Sequence, residues 1–206
     1  MVFPSTLGLL FPFLQLLITI NRDWSPLHRA VWNADINKVM SLADQCSVKT
    51  KDSLGWTPLH LACSDSESSA FTFRQVFPRE LEQRLLHPNS DKCLPRRIDS
   101  QENALAMCRV LIDAGAEINA EASIRWLPMH NVASSGWVNL AHLLLENGGS
   151  AFSSTICSPY CWADQDREKY YARSSEAMKE LLRAHLSDEQ MEQIKALHER
   201  NFSQPG

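Results

Sequence analysis

The sequence predicts an all-α fold: a solenoid of about four helix-pair repeats, one of them carrying a long insertion. Three observations predict it. A phrase recurs along the 206 residues as Trp24-Ser25-Pro26-Leu27-His28-Arg29-Ala30 and Trp56-Thr57-Pro58-Leu59-His60-Leu61-Ala62, then in worn form as Trp126-Leu127-Pro128-Met129-His130-Asn131-Val132, with a weaker echo at Ser158-Pro159-Tyr160-Cys161-Trp162-Ala163. A second kind of segment, apolar at helical spacing and stopped by glycine, follows the phrase. Trp137 to Gly148 is its clearest instance, and Val110 to Gly115 carries the same ending. The interval from Ser25 to Thr57 is 32 residues, close to the roughly 33 of a helix-pair repeat.

Each phrase is chemically suited to begin a helix. A Ser or Thr hydroxyl caps free N–H groups, and the following Pro has its φ preset for the first helical position. Leu and Ala two and five residues after the hydroxyl give one apolar face, and the small Ala lets a second helix approach closely.

Val2 to Ile20 form an uncharged, largely apolar run. Three readings stay open: a membrane anchor, a secretory signal, or a leader covering the N-terminal face of the stack. The run is barely long enough to span a bilayer. It lacks a basic start and shows no small-residue cleavage pattern before Asn21. If it inserts, Arg22 and Arg29 favour a cytosolic repeat domain.

Repeat one covers about Asn21 to Thr50, its second helix Asp35 to Ala43. Repeat two opens near Lys51 and is then interrupted, for Thr57 to Leu127 is 70 residues. The insertion occupies about residues 64–103, and the expected second helix arrives near Ala104. The insertion starts in Ser/Asp-rich loop composition, holds a short helix expected over Pro78 to Leu86, and ends in basic Lys92-Cys93-Leu94-Pro95-Arg96-Arg97. It is either a binding loop, which Phe71, Phe73 and Phe77 favour, or a disordered one. Repeat three runs from Glu121 to Ser150. The fourth unit starts at Ser158, carries a small insertion around Asp166 to Arg173, and has its second helix over Ala177 to Ala184. Ser187-Asp188-Glu189-Gln190 reads as a capping box for a final helix to about Arg200, which either caps the stack or docks a partner.

Asp52 to Ala62 and Met107 to Asn119 resemble the two halves of an ankyrin repeat. The order of phrase, helix pair and Gly-Ala ending is similar over residues 21–186, with 1–20 as leader and 187–206 as capping helix and tail. Leu127 in place of Thr and Val132 in place of Ala depart from that pattern. The resemblance implies a monomeric protein-binding module, an adaptor or scaffold that engages a protein partner through a concave groove and hairpin tips. It implies no catalysis, no cofactor and a cytoplasmic location. It also implies that His28, His60 and His130 hydrogen-bond within and between loops, and that Cys63 and Cys108 are buried in place of small apolar residues. Two alternatives remain: a membrane-tethered adaptor anchored by residues 2–20, or the substrate-recognition subunit of a ubiquitin ligase complex. No ligase-docking box follows the repeats, which weighs against the latter.

The residue types support binding over chemistry. A net charge of −4 leaves no basic footprint for nucleic acid. There is no Gly-rich phosphate loop, nucleophile elbow or zinc-protease helix. Cys157 and Cys161 have ligand spacing, but a closed zinc site needs four ligands and no second pair lies near. Cys63 and Cys108 read as buried small hydrophobes in a reducing compartment, and a secreted disulfide scaffold is shorter and denser in Cys than this chain with six.

The candidate partner-binding residues follow the phrase. Trp24, Trp56 and Trp126 precede its Ser/Thr position in three copies, forming either a hot-spot row or a set of stiffening contacts. Arg29, Trp32 and Asn33 in repeat one, Leu61 and Ser64 in repeat two, and Asn131, Ser134 and Ser135 in repeat three occupy the groove positions that the resemblance assigns to specificity. Leu54 and Ile124 mark the hairpin tips.

Overall fold

The structure, a computed structural model, describes residues 24–44, 47–53, 55–64, 100–122, 125–154, 158–164 and 176–202. The apolar run 2–20, the helix expected over Pro78 to Leu86, the insertion around Asp166 to Arg173, and Cys46, Cys93 and Cys157 lie outside these residues.

Among the described residues all regular structure is helical. In chain order the elements are α1 (Pro26–Trp32), α2 (Ile36–Ala43), α3 (Pro58–Ala62), α4 (Gln101–Asp113), α5 (Pro128–Ser135), α6 (Val138–Glu146), α7 (Pro159–Asp164), α8 (Glu176–Ala184) and α9 (Asp188–Phe202). Helices α1, α3, α5 and α7 pack in sequence as one row, and α2, α4, α6 and α8 as a second. Each helix of the first row also packs on its counterpart in the second, giving four pairs. The core lies between the rows: Leu27, Leu59 and Met129 from one side, Met107, Leu111, Leu140, Leu144, Met178 and Leu182 from the other, all fully buried.

The helix ends follow from local chemistry. Ser25 and Thr57 cap α1 and α3 through the N–H groups of His28 and His60, with Pro at the first position in both. Asp35 caps α2 by accepting the Lys38 N–H at 3.1 Å. Helix α4 begins at Gln101 and not near Ala104, because the Ser100 hydroxyl accepts the Asn103 N–H at 3.3 Å and extends the helix past its first buried apolar residue. Helix α6 has no capping side chain of its own, and Gln101 of the preceding pair supplies the acceptor for the Asn139 N–H at 3.2 Å. Before α9, Ser187 and Gln190 exchange side-chain and backbone bonds at 2.9 and 3.1 Å, a complete capping box. Ile194 carries α9 into the core.

Gly115 and Gly148 end α4 and α6 with φ of 85° and 84°. In both, the following residue returns an N–H to a carbonyl inside the helix, Ala116 to Leu111 and Gly149 to Leu144. A Cβ at either glycine would meet nothing within 4 Å, so the backbone angle and not crowding calls for glycine. Asn119 then pins the next loop, donating to the Gly148 carbonyl at 2.9 Å and accepting the Ser150 N–H at 2.8 Å.

Among the described residues no helix is long and apolar enough to cross a membrane.

Candidate binding surface

The recurring phrase places a Trp and a His together in three copies, and the structure turns that pair into a link between repeats. His28 Nε2 lies 3.0 Å from the Trp56 carbonyl and His60 Nε2 lies 3.0 Å from the Trp126 carbonyl. A carbonyl only accepts, so Nε2 carries the proton in both rings. The other nitrogen then faces its own turn as an acceptor. His60 Nδ1 receives the Thr57 N–H at 3.2 Å and His130 Nδ1 the Leu127 N–H at 2.9 Å, while Ser25 Oγ sits 2.8 Å from His28 Nδ1.

All three imidazoles are fully buried. Burial, only partly offset by the bond to the Trp56 carbonyl, lowers the His28 pKa. Burial likewise pushes His60 down to about 4, against the raising effect of its bond to the Trp126 carbonyl. The His28 and His60 rings are therefore neutral at neutral pH, and only a ring nitrogen without a proton can accept the turn's N–H. Their chemistry is structural.

Each indole lies against its own histidine: Trp24 on His28 with ring centroids 6.4 Å apart, Trp56 on His60 at 5.8 Å and Trp126 on His130 at 4.6 Å. Trp24 also packs on Trp32 at 5.1 Å. All four indoles remain half-buried. Their N–H groups are used differently. Trp24 Nε1 donates to Asp52 in the next hairpin at 3.1 Å, and Trp126 Nε1 donates to Asn131 in its own helix at 2.8 Å. The Trp56 indole N–H has no hydrogen-bond partner among the described residues.

The candidate residues thus separate into two groups. Trp24, Trp32, Trp56 and Trp126 are half-buried, and Arg29 and Asn33 are exposed, so these six offer surface. Leu61, Ser64, Asn131, Ser134 and Ser135 are buried. The physical reason is plain for Asn131 and Ser135. Asn131 donates its amide N–H to the His60 carbonyl at 2.9 Å and accepts the Trp126 indole N–H on its oxygen, and Ser135 donates to the Asn131 carbonyl at 2.9 Å. The Asn131 amide joins α5 to α3, while Ser135 bonds within its own helix. Leu54 and Ile124 lie outside the described residues.

Sequence reasoning missed Asp52. Its carboxylate accepts the Trp24 indole and, at 2.8 Å, the Trp56 backbone N–H, so it joins two hairpins. The available signal was its place three residues before Gly55, where an acceptor closes a turn. Arg125 was missed as well. It holds the left-handed position that Gly55 fills in the previous hairpin, with φ of 59° against 79°.

Among the described residues no group of three or more His, Cys, Asp or Glu side chains is placed to hold a metal ion. No family model matches the chain, and no curated protein matches it.

Proposed function

We propose that the chain is an ankyrin-type repeat array whose role is to bind a protein partner, without catalysis or cofactor. The observation that carries this reading is the set of half-buried indoles held on a pre-ordered frame. Trp24, Trp32, Trp56 and Trp126 are fixed by stacking and hydrogen bonds, and the Trp56 N–H is left for an acceptor outside the described chain. Large aromatic surface that is already ordered binds at low entropic cost, and Trp is the residue most enriched among energetically dominant contacts. Arg29 and Asn33 add exposed polar groups beside Trp32. The adaptor or scaffold role follows from binding of this kind, and the buried thiols suit a reducing compartment such as the cytoplasm.

The test is capture of partners by the immobilised full chain, quantified against Trp56→Ala, Trp56→Phe and a Glu146→Gln control in the second row. Circular dichroism establishes that each variant is folded. A partner held by the wild type and the control but weakened roughly 30-fold by Trp56→Ala, about 2 kcal/mol, supports the reading. Trp56→Phe keeps a ring against His60 and removes the N–H, so its smaller loss measures that bond. Equal capture by all four chains discards the indole surface as the recognition site.

A further inference from the structure

Two thiols that partner binding does not use meet in the core of the second helix pair. Cys63 stands at the C-cap of α3 and Cys108 in the middle of α4. Their sulfurs are 3.7 Å apart, and neither residue has any exposed surface. They come from positions 45 residues apart in sequence, on the two sides of the long insertion.

The third helix pair shows what this contact needs for packing. Aligning Leu127 with Thr57 and Gly148 with Gly115 places Ala133 opposite Cys63 and Ala141 opposite Cys108. Both alanines are fully buried. Methyl groups therefore fill the same inter-helix position one repeat later, and the sulfurs go beyond what close packing asks for. The sulfur–sulfur gap exceeds a disulfide bond, about 2.05 Å, by less than 2 Å. Rotation about the Cα–Cβ bonds with a small approach of the helices closes a gap of that size.

We propose that Cys63 and Cys108 are an oxidant-responsive pair that closes into a reversible disulfide and staples α3 to α4. The oxidant is a peroxide. One sulfur, as thiolate, takes an oxygen from hydrogen peroxide as the O–O bond breaks, giving a sulfenic acid and, after proton transfer, water. The second thiol attacks that sulfur, the S–O bond breaks, and a second water leaves. Two thiols are oxidised and one peroxide is reduced to two waters. A small thiol returns the pair by exchange through a mixed disulfide.

Burial makes the reaction gated. A thiol inside a packed core is inert until the structure opens around it. Helix α3 is only five residues long with Cys63 at its end, so opening there disrupts few backbone bonds. The rate of closure should therefore rise in dilute urea, where a preformed exposed pair would show no such dependence. In a reducing compartment a disulfide of this kind is a transient sensor and not a permanent brace.

The experiment treats the full chain with graded hydrogen peroxide, blocks remaining thiols by alkylation, and reads intact mass, the linked peptides and the thermal midpoint. The expected result is loss of two hydrogens, a peptide joining Cys63 to Cys108, and a midpoint raised by roughly 5–15 °C that dithiothreitol reverses. The Cys63→Ala, Cys108→Ala double variant copies the alanine pair of the third repeat and should fold without any peroxide-induced rise. The proposal is overturned if the linked peptide joins any other cysteines, if peroxide adds only oxygen, or if the double variant shows the same rise. The mass and peptide readings on the wild type decide the matter even where the double variant fails to fold.

Discussion

The described residues of the second and third hairpins share two backbone bonds but differ in side-chain chemistry. In the second, Asp52 exchanges backbone bonds with Trp56 and Gly55, and its carboxylate closes the turn on the Trp56 N–H. In the third, Ala122 makes the same backbone bonds with Trp126 and Arg125 but has no side-chain acceptor. Gly55 becomes Arg125 in the left-handed position, and the capping Thr57 becomes Leu127, which makes no side-chain cap. Three favourable residues are absent from one turn. The third repeat has other contacts, local and long-range, in their place. Asn131 bridges Trp126 to the His60 carbonyl, the Trp–His stack tightens from 5.8 to 4.6 Å, and Arg125 bonds Ser154 at 2.8 Å in the next loop. A turn that is weaker in itself is held by its neighbours, so the repeats differ in where their stability resides more than in shape.

The largest expected effect acts on the histidine that joins the two hairpins. His60 has a pKa of about 4 when folded and an ordinary value of 6.5. Between these values the unfolded chain binds the extra proton, so stability is complete above about pH 6.5 and falls as pH drops toward 4. The loss by pH 5 should be roughly 2 kcal/mol from this residue alone, and the lowered His28 adds in the same direction. Urea unfolding at pH 7 and pH 5 measures it. A His60→Phe variant should be weaker at neutral pH and show a shallower pH slope; an unchanged slope would remove the neutral imidazole from the account.

Next in size, Asp52→Ala gives the second hairpin the chemistry of the third without its compensation. Losing the acceptor for two N–H groups should cost about 2 kcal/mol. A cost near zero would mean that the turn is specified by its backbone alone. Asn131→Leu makes the reverse change, giving the third repeat the apolar residue found at Leu61. It strips a donor from the His60 carbonyl and an acceptor from the Trp126 indole, at about 1–2 kcal/mol. Combined with Asp52→Ala, a sum larger than the parts would show that the two turns share one network through His60. The smallest effect has the opposite sign. Arg125→Gly relieves a left-handed backbone at a non-glycine residue and should stabilise by up to about 1 kcal/mol, less what the Ser154 bond contributes. A clear loss instead would make that bond the stronger term.

These contrasts also mark what could be read from the chain. Ser25-Pro26, Thr57-Pro58, Gly115 and Gly148 act on their immediate neighbours, so helix starts and stops were legible from local chemistry. That each Trp lies beside the His of its own phrase follows the repetition of the phrase. The early start of α4 was not legible, since Ser100 lies ahead of the first buried apolar residue and gives no periodic signal. The burial of Asn131 and Ser135 was not legible either. Both are polar and sit where neighbouring repeats differ. Asn131 finds its partner through packing, in a bond to His60 that spans 71 residues, while Ser135 bonds the Asn131 carbonyl four residues back. Arg125 offered no warning, because nothing in an arginine announces a positive φ.

The histidine links also have a direction. Each donor belongs to the earlier repeat and each acceptor to the later one, from His28 to Trp56 and from His60 to Trp126. Shortening the array from its two ends is therefore unequal. A cut that removes the later repeat strands a buried imidazole N–H, while one that removes the earlier repeat leaves only a spare carbonyl, the group that folded chains more often tolerate unpaired. On the ribosome the same asymmetry means that each emerging repeat completes its predecessor, so the chain gains its cross-links in the order in which it is made.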